Sequence, residues 1–164
     1  MRIKRALLIR QNYNLIMQEK TSFVNEIMQK NVIAIDSTSS VKDAATLMTD
    51  TKVGCLVVTK NNAPVGIITE RDLVRRVIST DKPSSVLVSD VMSSPLIIAK
   101  PDYSLYELAQ MMKTKGLHRI PVEKDNQLVG IVSSTDIVRI HCFSTGSEIC
   151  KITEQIISRN NTKN

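Results

Sequence analysis

The sequence has 164 residues and a formal net charge of +6, with 42% hydrophobic but only 3% aromatic residues and no tryptophan. This length suits one domain or two small ones, and the core must be built from aliphatic side chains. No segment approaches the roughly 18–20 apolar residues that a membrane-spanning helix needs. The three cysteines include no Cys-x-x-Cys pair, which argues against a disulfide framework. We therefore expect a soluble, cytoplasmic protein.

The positive charge is concentrated at the N-terminus. Residues 1–20 contain one acidic residue, Glu19, against five basic ones: Arg2, Lys4, Arg5, Arg10 and Lys20. Such a basic arm can bind the phosphate backbone of RNA or an acidic protein surface. The alternative is a solvated or packed leader, and the shortage of aromatic residues argues against a platform that stacks single-stranded bases. Both interpretations stay open.

The chain repeats itself at a constant offset of 64 residues. The matched pairs include Met28 with Met92, Ala45 with Ala109, Met48 with Met112, Gly66 with Gly130 and Asp72 with Asp136. We expect one repeat at 21–79 and another at 88–142, joined by a polar linker at 80–87. Each repeat is too short to bury a comfortable core alone, so the two are expected to pack together and leave equivalent clefts between them.

Each repeat has the pattern of a β-α-β-β-α unit, which predicts an α/β (α+β) fold with the two repeats packed through their sheets. A short apolar strand is predicted at 32–35 and again at 96–99. A helix follows, opened by a capping box in which Ser40 pairs with Asp43, and Ser104 with Glu107. Two strands joined by a polar turn come next, a hairpin signal, at 55–59 and 64–68 and at 119–123 and 128–132.

The remaining elements are a second helix in each repeat and a C-terminal tail. The second helices are predicted to begin at Thr69 and Ser133. The tail at 143–164 has isoleucines roughly on one face of 148–158, which predicts a short amphipathic helix. We expect the apolar faces of the first helices to exceed what one pair of repeats can cover, which predicts a homodimer through residues such as Val41, Ala44, Ala45 and Met48.

One short signature ends both repeats. It is Gly66-Ile67-Ile68-Thr69-Glu70-Arg71-Asp72 in the first copy and Gly130-Ile131-Val132-Ser133-Ser134-Thr135-Asp136 in the second. A hydroxyl followed three residues later by a carboxylate is itself a helix-capping box. The same start of a helix also favours an anionic phosphate, and the carboxylate can accept hydrogen bonds from two ribose hydroxyls. The two interpretations are compatible.

The duplication, the capped helices, the segment His118-Arg119-Ile120-Pro121-Val122 and the paired signatures together resemble the cystathionine beta-synthase (CBS) domain pair, or Bateman module. The resemblance covers about residues 21–140. It implies two repeats that pair through their sheets and bind adenine nucleotides, or S-adenosylmethionine-type ligands, in up to two clefts. It also implies a homodimer of such modules.

The resemblance assigns roles to individual residues. Asp72 and Asp136 would hold ribose hydroxyls, Thr69 and Ser133 would lie at the phosphate, and Arg71 and Thr135 stand beside them. His118 and Arg119 would reach phosphate. The base would be lined by strand residues of both copies: Ile33, Ala34, Val57, Val58, Ile97, Ile98, Pro121 and Val122. Because Gly54 and Cys55 stand where the second copy has His118 and Arg119, the two phosphate environments are expected to be unequal.

The function expected from this resemblance is an AMP-, ADP- or ATP-binding regulatory sensor that acts through its shape or its partner, with no obligatory cofactor. The alternatives are an RNA-associated protein that uses the basic arm and a binder of S-adenosylmethionine-type ligands. An enzyme is not expected, because the two histidines and three cysteines form no nucleophile–base set. His141 and Cys142 lack further metal ligands at a usable spacing, so no metal site is expected either.

Overall fold

The two repeats are seen in a computed structural model that describes residues 22–145, with side chains described through residue 140. The predicted basic arm at 1–20 and the predicted amphipathic helix at 148–158 lie outside the described residues.

The first repeat holds a three-stranded sheet and three helices. Their bounds are α1 Val24–Ile27, β1 Ala34–Asp36, α2 Val41–Thr51, β2 Cys55–Lys60, β3 Ala63–Thr69 and α3 Glu70–Arg76. β1 runs parallel to β2, and β2 runs antiparallel to β3 with Leu56 opposite Ile68. A short 3₁₀ turn, Ile78–Thr80, leads into the linker.

The second repeat copies this order after another 3₁₀ turn, Val88–Asp90. Its elements are α4 Leu105–Lys115, β4 Arg119–Lys124, β5 Gln127–Ser133 and α5 Ser134–Thr145. β4 and β5 form an antiparallel hairpin with Ile120 opposite Val132, in the register of the first copy. The α/β (α+β) class and the tandem arrangement are thus confirmed.

The strand predicted at 96–99 is reduced to a single parallel bridge between Ala99 and Val122. In the first repeat, Val57 N–H donates to the Ile33 carbonyl at 3.0 Å, and Ser37 N–H donates to the Thr59 carbonyl at 2.8 Å. The residues that stand at these two donor positions in the second repeat are Pro121 and Pro101. Proline has no N–H, so the ladder that would extend this strand loses two of its bonds.

The predicted capping boxes are confirmed at the start of both first helices. The Ser40 hydroxyl accepts from Asp43 N–H at 3.1 Å, and the Asp43 carboxylate accepts from Ser40 N–H at 3.2 Å. Ser104 and Glu107 exchange the same two bonds at 3.2 and 2.8 Å. These boxes satisfy the orphan amides of α2 and α4 and fix where each helix begins.

The segment that enters each repeat packs in the core of the other repeat. Val24 and Ile27 of α1 lie in the second core with Leu108 and Ile120. Conversely, Val88 and Val91 lie in the first core, whose other members are Ile35, Val41, Ala44, Met48, Leu56, Val58, Ile68 and Val77. This exchange ties the two repeats into one unit, because neither core is complete without a segment of the other.

The same cores correct the argument for a dimer through the first helix. Val41, Ala44 and Met48 are 5%, 0% and 3% exposed, so this face is covered by the chain itself. The exposed apolar side chains lie elsewhere, and they include Val74 on α3 and Val138 on α5, which are 59% and 47% exposed. These two valines occupy matching positions of the two repeats.

Candidate functional site

A cleft of about 340 Å³ lies between the end of the first repeat's hairpin and the loop that precedes β4. We call it the first cleft. Its lining residues come from both repeats and are Gly54, Ile67, Thr69, Glu70, Arg71, Asp72, Ser93, Gly116, Leu117, His118 and Arg119. The fold therefore brings together the first signature and the His118-Arg119 pair.

Asp72 both caps α3 and lines the first cleft. Its Oδ2 accepts from the Thr69 N–H at 2.9 Å and from the Thr69 hydroxyl at 2.6 Å, while Asp72 N–H donates to that hydroxyl at 3.2 Å. Its Oδ1 lies 3.4 Å from Nε of Arg76. The capping interpretation is thus confirmed, and Oδ1, which lies beside Arg76, is the carboxylate oxygen that Thr69 does not engage.

The amides at the start of α3 are mostly occupied by protein. Glu70 N–H donates to the Gly54 carbonyl at 3.3 Å, and Asp72 N–H is bonded to Thr69. Among the described residues this leaves Arg71 N–H without a partner in the first turn. An anion bound here would therefore be held chiefly by side chains, and the nearby cations are Arg71 and Arg119.

Two opposite charges converge over Gly54 at the mouth of the first cleft. A Cβ built on Gly54 would lie 2.9 Å from Oε2 of Glu70 and 3.0 Å from Nη2 of Arg119. The pKa of the neighbouring Cys55 thiol reflects both groups: burial raises it most, Arg119 lowers it, and Glu70 raises it again. Because Gly54 has no side chain, there is room for both the Glu70 carboxylate and the Arg119 guanidinium above it.

The second signature lies in a smaller cleft of about 140 Å³, lined by Ile27, Gln29, Asp136, Arg139 and Ile140. We call it the second cleft. Asp136 accepts from the Ser133 N–H and hydroxyl at 2.8 and 2.6 Å, so it caps α5 as Asp72 caps α3. Its Oδ1 lies 3.6 Å from Nη1 of Arg139 and accepts from Nε2 of Gln29 at 3.4 Å. An arginine thus lies beside Oδ1 in both clefts, and the bond from Gln29 is the additional protein contact that Asp136 has.

The predicted base-lining residues lie in several environments. Val58 and Val122 belong to the two hydrophobic cores, Val57 is fully buried, and Pro121 is also buried. The other four are less buried: Ile33, Ile97 and Ile98 are half-buried, and Ala34 is exposed. Exposed Thr135 stands in the first turn of α5. Contacts of any of these residues with a base stay a prediction.

A third, wider cavity of about 630 Å³ lies beside the β4–β5 turn, away from both signatures. Ile98 lines it together with Lys100, Tyr103 and Lys124, and its wall also includes Asn25, Pro101, Asp102, Glu123, Asp125 and Asn126. Both acidic and basic side chains belong to its wall. The structure thus places Ile98 apart from the carboxylates of the two signatures.

Sequence reasoning missed several residues that shape these clefts. Ser93 and Gln29 stand at matched positions and each forms an antiparallel bridge with the hairpin of the other unit, Ser93 with Ile67 and Gln29 with Ile131. Their place directly after the paired methionines was the available signal. Glu70 was visible as an acid with no acidic counterpart, since Ser134 stands at its offset.

No helix among the described residues has the length and apolar character needed to cross a membrane. No group of three or more histidine, cysteine, aspartate or glutamate side chains in 22–140 could hold a metal ion.

Comparison with known proteins gives relatives of the same build. The chain is 37% identical to an uncharacterized protein, MK0525, of Methanopyrus kandleri over 123 residues, which cover 73% of this chain and 63% of that one. It is 30% identical to the CBS domain-containing protein YhcV of Bacillus subtilis over 138 residues, covering 83% of this chain and 99% of YhcV. The chain thus spans less than two thirds of the first relative and nearly all of the second.

A solved structure has the same fold. It is the CBS domain pair of protein MJ0100 in complex with 5′-methylthioadenosine and S-adenosyl-L-methionine, with a TM-score of 0.69, 26% identity, and coverage of 78% of this chain and 100% of that one. The family model of the CBS domain matches residues 24–79 and again 88–141. The chain therefore belongs to the CBS-domain family, as two CBS domains in tandem.

Proposed function

We propose that this CBS pair is a ligand-binding regulatory protein whose first cleft takes an adenosine derivative, with AMP, ADP or ATP as the leading ligands. The observation that carries the proposal is that Asp72 and Arg119, from different repeats, line one cleft. Its volume of about 340 Å³ falls in the roughly 300–1,000 Å³ range of small-molecule sites. The related pair solved with two adenosine derivatives supports the ligand class.

Each first-cleft group has a distinct part in this proposal. Oδ1 of Asp72 accepts from the ribose hydroxyls, because Oδ2 is engaged by Thr69. Arg119 and Arg71 attract the negative charge of a phosphate, and Ile67 offers an apolar wall. None of these residues has a part in breaking or forming a covalent bond, so in this proposal the protein binds its ligand without a catalysed reaction.

The regulatory output follows from the position of the first cleft. A ligand that touches both repeats favours the arrangement in which those contacts are made, and it shifts the protein only by that difference in affinity. The entry segments are exchanged between the two cores, so a change in one repeat reaches the other through Ser93 and Gln29. The output is a change in shape or in the choice of partner.

Isothermal titration with adenosine, AMP, ATP and S-adenosylmethionine tests the proposal. We expect saturable binding of at least one of them, with a stoichiometry near one per chain because the second cleft is small and already bridged by Gln29. Failure of all four to bind at millimolar concentration would rule out the proposal.

We further propose that two copies of the module associate through the last helices of the repeats. Val74 and Val138 are 59% and 47% exposed at matching positions, and Ile78 is 71% exposed just beyond α3. Exposed apolar side chains at equivalent positions of the two repeats favour this surface for association. Light scattering should give the mass of two chains, and Val74→Lys with Val138→Lys should return it to one.

A nucleic-acid role is favoured by a separate observation, the five basic residues within 1–20. Removal of residues 1–20 should then abolish RNA binding that weakens steeply with salt, while nucleotide binding in the first cleft remains.

A further inference from the structure

The first cleft carries an acid as well as its cations, and this acid has no counterpart in the second repeat. Glu70 is the first residue of α3. Its Oε2 lies 2.9 Å from the position of a Cβ built on Gly54, and Nη2 of Arg119 lies 3.0 Å from the same position. At the matching positions the second repeat has Ser134 and His118 in place of Glu70 and Gly54, while the residue of the first repeat that matches Arg119 is Cys55. Only the first cleft therefore has this opposed pair, as far as the described residues show.

The two charges are close but free to meet a ligand. In the part of the chain that the structure describes, neither Glu70 nor Arg119 has an ion-pair partner within 4.0 Å. Glu70 is exposed and Arg119 is half-buried. A ligand tail that enters over Gly54 thus meets both a negative and a positive group.

This arrangement bears on which tail the first cleft accepts. A triphosphate is attracted by Arg119 and Arg71 but repelled by Glu70 and Asp72, because like charges at short range oppose binding. A tail with one cation and one anion satisfies both groups: its ammonium faces Glu70 and its carboxylate faces Arg119. An uncharged adenosine engages neither.

We infer that Glu70 is a specificity-determining residue of the first cleft, which disfavours polyphosphate tails and favours adenosine derivatives with a zwitterionic amino-acid tail. This inference rests on the proposed function and narrows its ligand class. Gly54 contributes to the same specificity, because a side chain there would separate Glu70 from Arg119.

The test is isothermal titration of adenosine, ATP and S-adenosylmethionine into the parent chain, Glu70→Gln and Glu26→Gln. Glu26 is an exposed acid of α1 outside the cleft, so its variant controls for the change of net charge. We expect Glu70→Gln to tighten ATP binding about three- to fivefold and to weaken S-adenosylmethionine binding by about the same factor. Adenosine binding should stay unchanged, and Glu26→Gln should behave as the parent.

The effect should also shrink at high salt, because screening shortens the Debye length from about 10 Å at 0.1 M to about 3 Å at 1 M. If all three ligands change by one common factor, or none changes, or ATP binding weakens, the inference is wrong while the proposed function stands. If the parent binds none of the three, the proposed function fails and the inference fails with it.

Discussion

Met28 of the first repeat packs against the backbone of Gly130 in the second. A Cβ built on Gly130 would lie 2.7 Å from Sδ of Met28, and a Cβ on Gly66 would lie 2.7 Å from Sδ of Met92. The duplicated methionines and the duplicated glycines are therefore one contact made twice. The glycine that opens each signature is required by the neighbouring entry segment, which must approach the hairpin closely.

Substitution of these glycines should destabilise the fold by different routes. Gly130→Ala and Gly66→Ala should each lower the free energy of unfolding by about 1–3 kcal/mol through overpacking. The Met28 side chain can move, so Met28→Ala should relieve part of the cost of Gly130→Ala. A backbone carbonyl oxygen also faces each added Cβ, Ser93 at 2.9 Å from the one on Gly66 and Gln29 at 3.1 Å from the one on Gly130, so Met92→Ala should relieve somewhat less.

Urea denaturation of the four single and two double mutants measures both couplings. If the losses of unfolding free energy are equal at the two sites and strictly additive in the double mutants, the exchanged entry segments are not in tight contact with the hairpins.

Arg76 holds the entry segment of the second repeat in place. Its Nη1 donates to the carbonyls of Val91 and Met92 at 2.8 and 2.7 Å, and its Nη2 donates to the Ser93 hydroxyl at 3.1 Å. Arg76→Leu should cost about 1–3 kcal/mol in unfolding free energy, because acceptors lose their donor. The exposed neighbour Arg75 is the matched control, and Arg75→Leu should change stability by less than about 0.5 kcal/mol. Thermal denaturation compares the stability of the two variants. Equal losses of stability would show that the hydrogen bonds of Arg76 do not contribute to the unfolding free energy.

The capping boxes make stability depend on pH. Hydrogen bonds from Ser104 hold the pKa of Glu107 below its usual 4.5, and those from Ser40 hold the pKa of Asp43 below 3.8. A folded pKa below the unfolded one adds stability above the unfolded pKa, and this stability is lost as the pH falls through the folded pKa. The loss of stability in Ser104→Ala should therefore be larger at pH 6 than at pH 3.

The control for this comparison is Thr49→Ala. The Thr49 hydroxyl donates to the Ala45 carbonyl at 2.9 Å and involves no carboxylate. Its effect should be the same at both pH values, as measured by urea denaturation. A Ser104→Ala effect that is also independent of pH would contradict the capping account.

Features fixed by neighbouring residues were predictable from the sequence. Ser40 and Asp43 lie three apart, so their capping box could be seen directly. The hairpin turns are occupied by Asn61-Asn62 and Asp125-Asn126, whose φ values of 51° to 63° match residues that tolerate the left-handed region. The paired signatures were equally visible, and the structure shows that both cap helices.

Features that depend on register or on distant contacts were not predictable. The weak strand before Ala99 follows from Pro121 and Pro101 standing at donor positions, which only the strand alignment reveals. The exchange of entry segments pairs Gln29 with Ile131, which is far away in the sequence, and no local sequence pattern indicates this pairing. The approach of the Glu70 and Arg119 side chains above Gly54 also depends on how the two repeats pack together.

Arg119 should discriminate ligands by their phosphate charge. Arg119→Ala should weaken ATP binding about fivefold or more, while adenosine binding changes less, since adenosine has no phosphate for the guanidinium to attract. Titration of both ligands into the parent and Arg119→Ala measures the difference. An equal loss for both would mean that Arg119 shapes the cleft without sensing phosphate.

The most direct measurement of the central claim compares Asp72→Asn with Asp136→Asn by isothermal titration of AMP, with urea denaturation of both to confirm folding. Asn keeps the shape and removes the charge that strengthens each ribose hydrogen bond, a contribution of about 1.5–3 kcal/mol. We predict that Asp72→Asn weakens AMP binding about tenfold or more, whereas Asp136→Asn, in the small cleft bridged by Gln29, changes it less than about threefold. Unchanged binding in Asp72→Asn, or a larger loss in Asp136→Asn, would contradict the assignment of the ligand to the first cleft.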